Sequence, residues 1–132
     1  MLITEFIQYL KQNIFNTEFY NSMIDKNNKC VGVYTRSGLK PYLALGGLSN
    51  TTYNYKRFDL LVHWGQDATE CEIKANEIYN ELFGKSNFYV GNCKVIQIEM
   101  LDSNPIDLLR DVNNNCEMII RVIIYYEREV EK

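Results

Sequence analysis

Apolar and polar positions recur with two different periods along this chain, and each period marks an element. Ile3, Phe6, Ile7, Leu10 and Ile14 fall at helical spacing on one stripe, with Glu5, Gln8, Lys11 and Gln12 opposite. The spacing predicts an amphipathic helix ending near Asn13 to Asn16, where Asn and Thr side chains compete for backbone hydrogen bonds. Glu18 to Ile24 and Cys30 to Thr35 are rich in β-branched, aromatic and other apolar residues, with Asp25-Lys26-Asn27-Asn28 between them. That order predicts a strand, a turn and a strand, paired antiparallel. From Arg36 to Thr52 three glycines and a proline exclude regular structure throughout, yet Leu39, Tyr42, Leu43, Leu45 and Leu48 make the connection apolar. Such a segment either lies over its own domain or is covered by another chain.

Between Tyr53 and Trp64 the period becomes two. Phe58, Leu60, Val62 and Trp64 share one face, while Tyr53, Tyr55, Arg57, Asp59, Leu61 and His63 take the other, as in a half-buried strand. A second helix follows Gly65-Gln66: Asp67 is placed as its N-cap, with Glu70 at capping-box spacing and Glu72 adding charge of the sign a helix N-terminus favours. Cys71, Ala75, Ile78 and Leu82 form its buried stripe, with Tyr79 and Phe83 beside it, and Gly84 is positioned to close it in a left-handed conformation. Val90 to Leu101 reads as one strand, and Asp102 to Asn115 as loop or a long hairpin arm. Glu117 to Glu127 reads as a last strand whose nearly continuous apolar run predicts burial on both faces. The mixed-charge segment 127–132 is expected to be a flexible, solvated tail. Together these elements predict one α+β domain over 1–132, an antiparallel or mixed β-sheet of about four to five strands with two helices packed on one face.

Composition narrows the function classes. A chain of 132 residues suits one domain, and 46% hydrophobic with 23% charged residues excludes a wholly disordered one. The net charge of −3, with no basic block, argues against free nucleic acid as the main ligand. The N-terminal stretch has no secretory pattern and no apolar run approaches the ~18–20 residues a bilayer requires, so an intracellular chain with reduced thiols is expected. Ten tyrosines fit use at partly wet protein contacts, and equally an A+T-rich coding sequence.

No constellation points to catalysis. His63 is the only histidine, which removes every His-pair metal motif and leaves one acid/base group without an evident partner. Cys30, Cys71, Cys93 and Cys116 are more than twenty residues apart, unlike the close ligand pairs of structural zinc sites. The ALGGLSN glycines lack phosphate-loop spacing, and Glu70 and Glu77 lie on a helix face expected in solvent. Neither a cofactor nor a metal is expected, and the chain is not read as an enzyme. Tyr53, Tyr55 and Arg57 share a strand face and suggest a stacking platform for single-stranded nucleic acid, but the acidic balance favours a protein partner.

The amphipathic N-terminal helix, PYLALGGLSN, YNYKRFDLLVHWGQD, ATECEIKANEIYNELF and the closing PIDLLRD and EMIIRVIIYYER together resemble the phage minor capsid proteins that are similar to tail terminators of long-tailed phages and contractile tail-like particles. The resemblance spans nearly the whole chain. It implies a structural virion protein, assembled in the host cytoplasm, that forms a ring, commonly a hexamer, at the head-proximal end of the tail. Its partners would be further copies of itself, the tail tube protein, and a head-tail connector or collar protein, with the genome passing through the ring and no sequence read. The family carries no catalytic residues.

A closed ring needs two different contact faces on each subunit, at roughly 800 Å² apiece. Tyr42, Leu43 and Leu45 in the long connection, and Tyr53, Tyr55 and His63 on the outer strand face, are the expected subunit contacts. Arg110 and Asp111 are expected to face the tube or lumen. A head-side completion protein and a small single-stranded nucleic-acid-binding module stand as alternatives.

Overall fold

The computed structural model describes residues 1–24, 29–37 and 53–127. Tyr42, Leu43 and Leu45, the 25–28 turn and the 128–132 tail lie outside the described residues. Helix α1 (Ile3–Asn13) begins where Glu5 reaches back to accept from the Leu2 N–H, and its stripe of Phe6, Ile7 and Leu10 is buried. Helix α2 (Ala68–Leu82) is capped by Asp67, whose carboxylate accepts from the backbone N–H groups of Thr69 and Glu70. Gly84 follows it at φ +75°, the left-handed position a Cβ disfavours.

Among the described residues seven strands form one mixed sheet, β1 (Phe19–Asn21), β2 (Lys29–Arg36), β3 (Tyr53–Trp64), β4 (Ser86–Val90), β5 (Cys93–Met100), β6 (Ile106–Arg110) and β7 (Cys116–Glu127). The spatial order is β1-β2-β3-β7-β5-β4, with β6 also on β7. The expected sheet of about four to five strands is therefore corrected: the fold is strand-rich, and α+β describes it only roughly. One extra strand, β4, lies just ahead of the region read as a strand from Val90, and another, β6, lies in the stretch read as loop or a long hairpin arm. Gly91, at φ +59°, turns the chain between Val90 and Cys93, making β4 and β5 a hairpin. Ile106 to Arg110 then pairs with the start of β7.

β5 and β6 share one edge of β7, lying end to end along it: β5 pairs with Val122 to Tyr126, and β6 with Cys116 to Ile119. The gap between them is pinned by Arg121, whose guanidinium donates to both carboxylate oxygens of Asp102 at 2.8 and 2.7 Å. This fork holds the Asp102 carboxyl below the usual range.

β1 pairs with β2 in parallel, not antiparallel as the turn composition suggests. Gly32 accommodates the crossing: a Cβ there would stand 2.6 Å from the Met23 carbonyl oxygen. The bare glycine lets the segment after β1 pass close over β2.

Both helices cover the same face of the sheet. Phe6 stacks on Phe58 at 4.7 Å, and Leu60, Val62, Ile78, Leu82, Ile120, Val122 and Ile124 complete one buried cluster. Each such side chain contributes about 1.5–3 kcal/mol on burial. β7 is not sealed on both sides as its apolar run predicts: Ile120, Val122 and Ile124 are buried, whereas Ile119, Ile123 and Tyr125 on the opposite face are half-buried. Among the described residues no helix is long and apolar enough to cross a membrane.

Candidate assembly interface

The face of β3 and β7 that the helices leave uncovered carries three groups of side chains in register. At one end Tyr53 and Tyr55 on β3 meet Tyr125 on β7, with ring centroids 6.0 and 6.1 Å apart. The Tyr125 hydroxyl donates to the Glu99 carboxylate at 2.7 Å; that bond and partial burial push its pKa up to about 12. In the middle Asp59 accepts from Arg36 Nε at 2.9 Å and lies 3.6 Å from Arg57 Nη2.

At the other end lies His63, which the strand alternation assigns to the outer surface. Only 5% of it is exposed, so it is not presented for a subunit contact. It is enclosed because β7 places Glu117 directly across in register and the turn after β6 brings in Asp111. Its Nδ1 is 3.1 Å from Glu117 Oε2 and 3.8 Å from Asp111 Oδ2. Asp111, expected to face a tube or lumen, spends its other oxygen on the backbone N–H groups of Asn113 and Asn115, at 2.9 and 2.8 Å. Those amides, Asn115 foremost, hold its carboxyl below the usual range. Arg110 donates to the carbonyl oxygens of Gln66 and Asn114, both at 2.9 Å, so it braces the same turn while its side chain remains exposed.

Near this cluster β6 and the turn after it carry exposed apolar side chains that periodicity does not predict. Leu108 and Leu109 on β6 are 43% and 76% exposed, and Val112 in the following turn is wholly exposed. Leu109 sits at φ +70°, a left-handed conformation that a leucine rarely adopts, at a register break between Asp107 and Arg110. Its N–H is held by the Asp107 side chain at 3.0 Å. The bulge aims an apolar side chain outward beside the groove between α2 and β6, which Ala68, Glu72 and Met118 also line.

The site residues thus divide. Tyr53 and Tyr55 are brought together with Tyr125; His63 and Asp111 join Glu117; Arg110 stays apart as a brace. The sequence signal for the missed projection was the pair Leu108-Leu109 inside a polar stretch, which the surrounding Asp, Asn and Pro residues masked. The expected stacking platform also changes character, since Arg57 lies within ion-pairing distance of Asp59 and Tyr125 of the tyrosine group bonds the acid Glu99. No protein-family model matches this chain, and no curated protein matches it.

Proposed function

We propose that this protein is a structural ring subunit of the tail-terminator kind, capping a tail tube and docking it to a head connector. The observation that supports the reading is a pair of dissimilar surfaces at opposite ends of the β3–β7 ladder. The register from Tyr53–Glu127 to His63–Glu117 separates them by about 30 Å. One end offers the tyrosine group Tyr53, Tyr55 and Tyr125; the other offers Leu108, Leu109 and Val112. Two unlike faces at opposite ends of a pair of strands are what a head-to-tail contact requires, and head-to-tail contacts close into a ring where the rotation between successive copies closes. Aromatic side chains with polar tips suit one side of such a contact, and an aliphatic projection suits the other. The occupant of each surface is a second copy of this chain.

The test uses the tail tube protein. Added to polymerising tubes, the purified chain should shorten them and label one end of each tube in electron micrographs. Tubes that grow to the same length with no label at either end would remove the tail-terminator assignment.

A further inference from the structure

We propose that His63, Asp111 and Glu117 form a binding site for one divalent transition-metal ion of the zinc and manganese class. One ligand atom from each residue lies within 4.8 Å of the others. Metal bonds of about 2.0–2.2 Å set neighbouring ligand atoms roughly 3–3.5 Å apart. The Nδ1 to Glu117 Oε2 distance of 3.1 Å already meets that spacing, the 3.8 Å to Asp111 Oδ2 needs a small closure, and the two carboxylate oxygens, within 4.8 Å of each other, would be drawn together by the ion.

Two further features favour a cation here over a simple hydrogen-bonded cluster. Asp111 is prepared as a ligand: two backbone amides hold its Oδ1, which leaves Oδ2 aimed at the imidazole but beyond hydrogen-bond reach. Charge is also left over. Two carboxylates converge on one ring, and among the described residues His63 is the one basic side chain within ion-pairing distance of either. Arg110, the nearest cation in sequence, is turned to the Gln66 and Asn114 carbonyls instead. Whatever the ring's charge, the two carboxylates carry more negative charge than one ring balances, and the two amides on Asp111 meet only part of it, around side chains that are 6%, 20% and 18% exposed. A dication neutralises it.

The donor set is one imidazole nitrogen and two carboxylate oxygens, which suits zinc or manganese and gives copper(I) none of the thiolates it prefers. Coordination takes the Nδ1 lone pair, so any proton Nδ1 shares with Glu117 leaves that atom on binding. Three protein ligands leave further positions to water. The ion would tie the end of β3 to the start of β7 and to the turn that carries Val112. The site does not depend on the ring assignment, because all three ligands come from a single chain.

The test is made on the purified full chain after chelation, titrated with zinc chloride and manganese chloride by calorimetry and with cobalt chloride by visible absorption. One ion per chain is expected, with a cobalt spectrum free of thiolate charge-transfer bands and slower amide exchange at Asn113 and Asn115. Asp111→Asn and Glu117→Gln should each weaken binding by about tenfold or more, while Cys93→Ser should leave it unchanged. Absence of saturable binding to the parent chain, a thiolate spectrum, or affinity that survives both carboxylate substitutions would overturn the proposal. The parent-chain titration and exchange data decide the matter even where a substituted chain fails to fold.

Discussion

Replacing Leu109 with glycine should move stability and assembly in opposite directions. The residue sits at φ +70°, where an L side chain costs about 1–2 kcal/mol relative to its ordinary conformations. Glycine removes that strain, and its greater freedom in the unfolded chain returns about 0.5–1 kcal/mol of it. The net effect on the isolated subunit is a gain of about 0.5–1 kcal/mol, or roughly 2–4 °C in Tm. Little packing is lost, because 76% of Leu109 is exposed. In the ring, that exposed part is what a neighbour would bury. Full burial of a leucine is worth about 1.5–3 kcal/mol, so three quarters of it amounts to about 1–2 kcal/mol per contact. The dissociation constant of each contact should rise about 5- to 30-fold. Thermal melts of dilute protein read the first effect, and sedimentation velocity over a concentration series reads the second. A Leu109→Gly chain that assembles as readily as the parent would refute the placement of Leu109 at a subunit contact. A chain that melts lower would refute the strain.

Other consequences follow from single positions. Gly32→Ala should destabilise the fold by about 1–3 kcal/mol in urea denaturation, since the new methyl would lie 2.6 Å from the Met23 carbonyl oxygen; an unchanged midpoint would mean that the segment over β2 yields freely. Burial raises the Cys71 thiol to about 11, so under native conditions iodoacetamide should modify half-buried Cys93 well before Cys71, as peptide mass mapping would show. Tyr125 binds its proton more tightly in the fold than in the unfolded chain. Stability from that bond is complete below pH 10.0 and is lost as pH rises toward about 12, and Glu99→Gln should lower that upper limit in a spectrophotometric tyrosine titration.

The parts of the fold legible in the sequence were those whose pattern repeats over several turns or residues. The stripe from Ile3 to Ile14, the Asp67 cap, Gly84, and the Phe58, Leu60, Val62 and Trp64 face are all found where periodicity placed them. The two five-residue strands β4 and β6 were not, because neither carries a clean alternation of apolar and polar residues. β4 was hidden because turn-forming residues, Gly84, Ser86 and Asn87, run into its first half, although the Gly91-Asn92 pair does mark its hairpin. β6 fits the hairpin-arm reading of Asp102 to Asn115, but its bounds were hidden by flanking Asp, Asn and Pro residues. The parallel pairing of β1 brings Met23 against Gly32, an approach that residue alternation along either strand does not encode.

The candidate site divides the same way. Alternation placed Tyr53, Tyr55 and His63 on one face, but the burial of His63 comes from β7 and from a turn 48 residues downstream at Asp111. Neither Glu117 nor Asp111 is near it in sequence, so the three-residue cluster could be found only once the strands were paired. Leu109 was legible as an apolar residue in a polar stretch; its left-handed backbone and outward aim were not.

In the proposed assembly, copies of this chain meet end to end and close on themselves. Negative-stain electron microscopy of the purified full chain, read by two-dimensional averaging across a concentration series, tests it most directly. Closed rings of uniform copy number are predicted, with particle counts that fall when Leu109 is replaced by glycine. Particles that remain single subunits at every concentration, with and without tail tube protein, would contradict it.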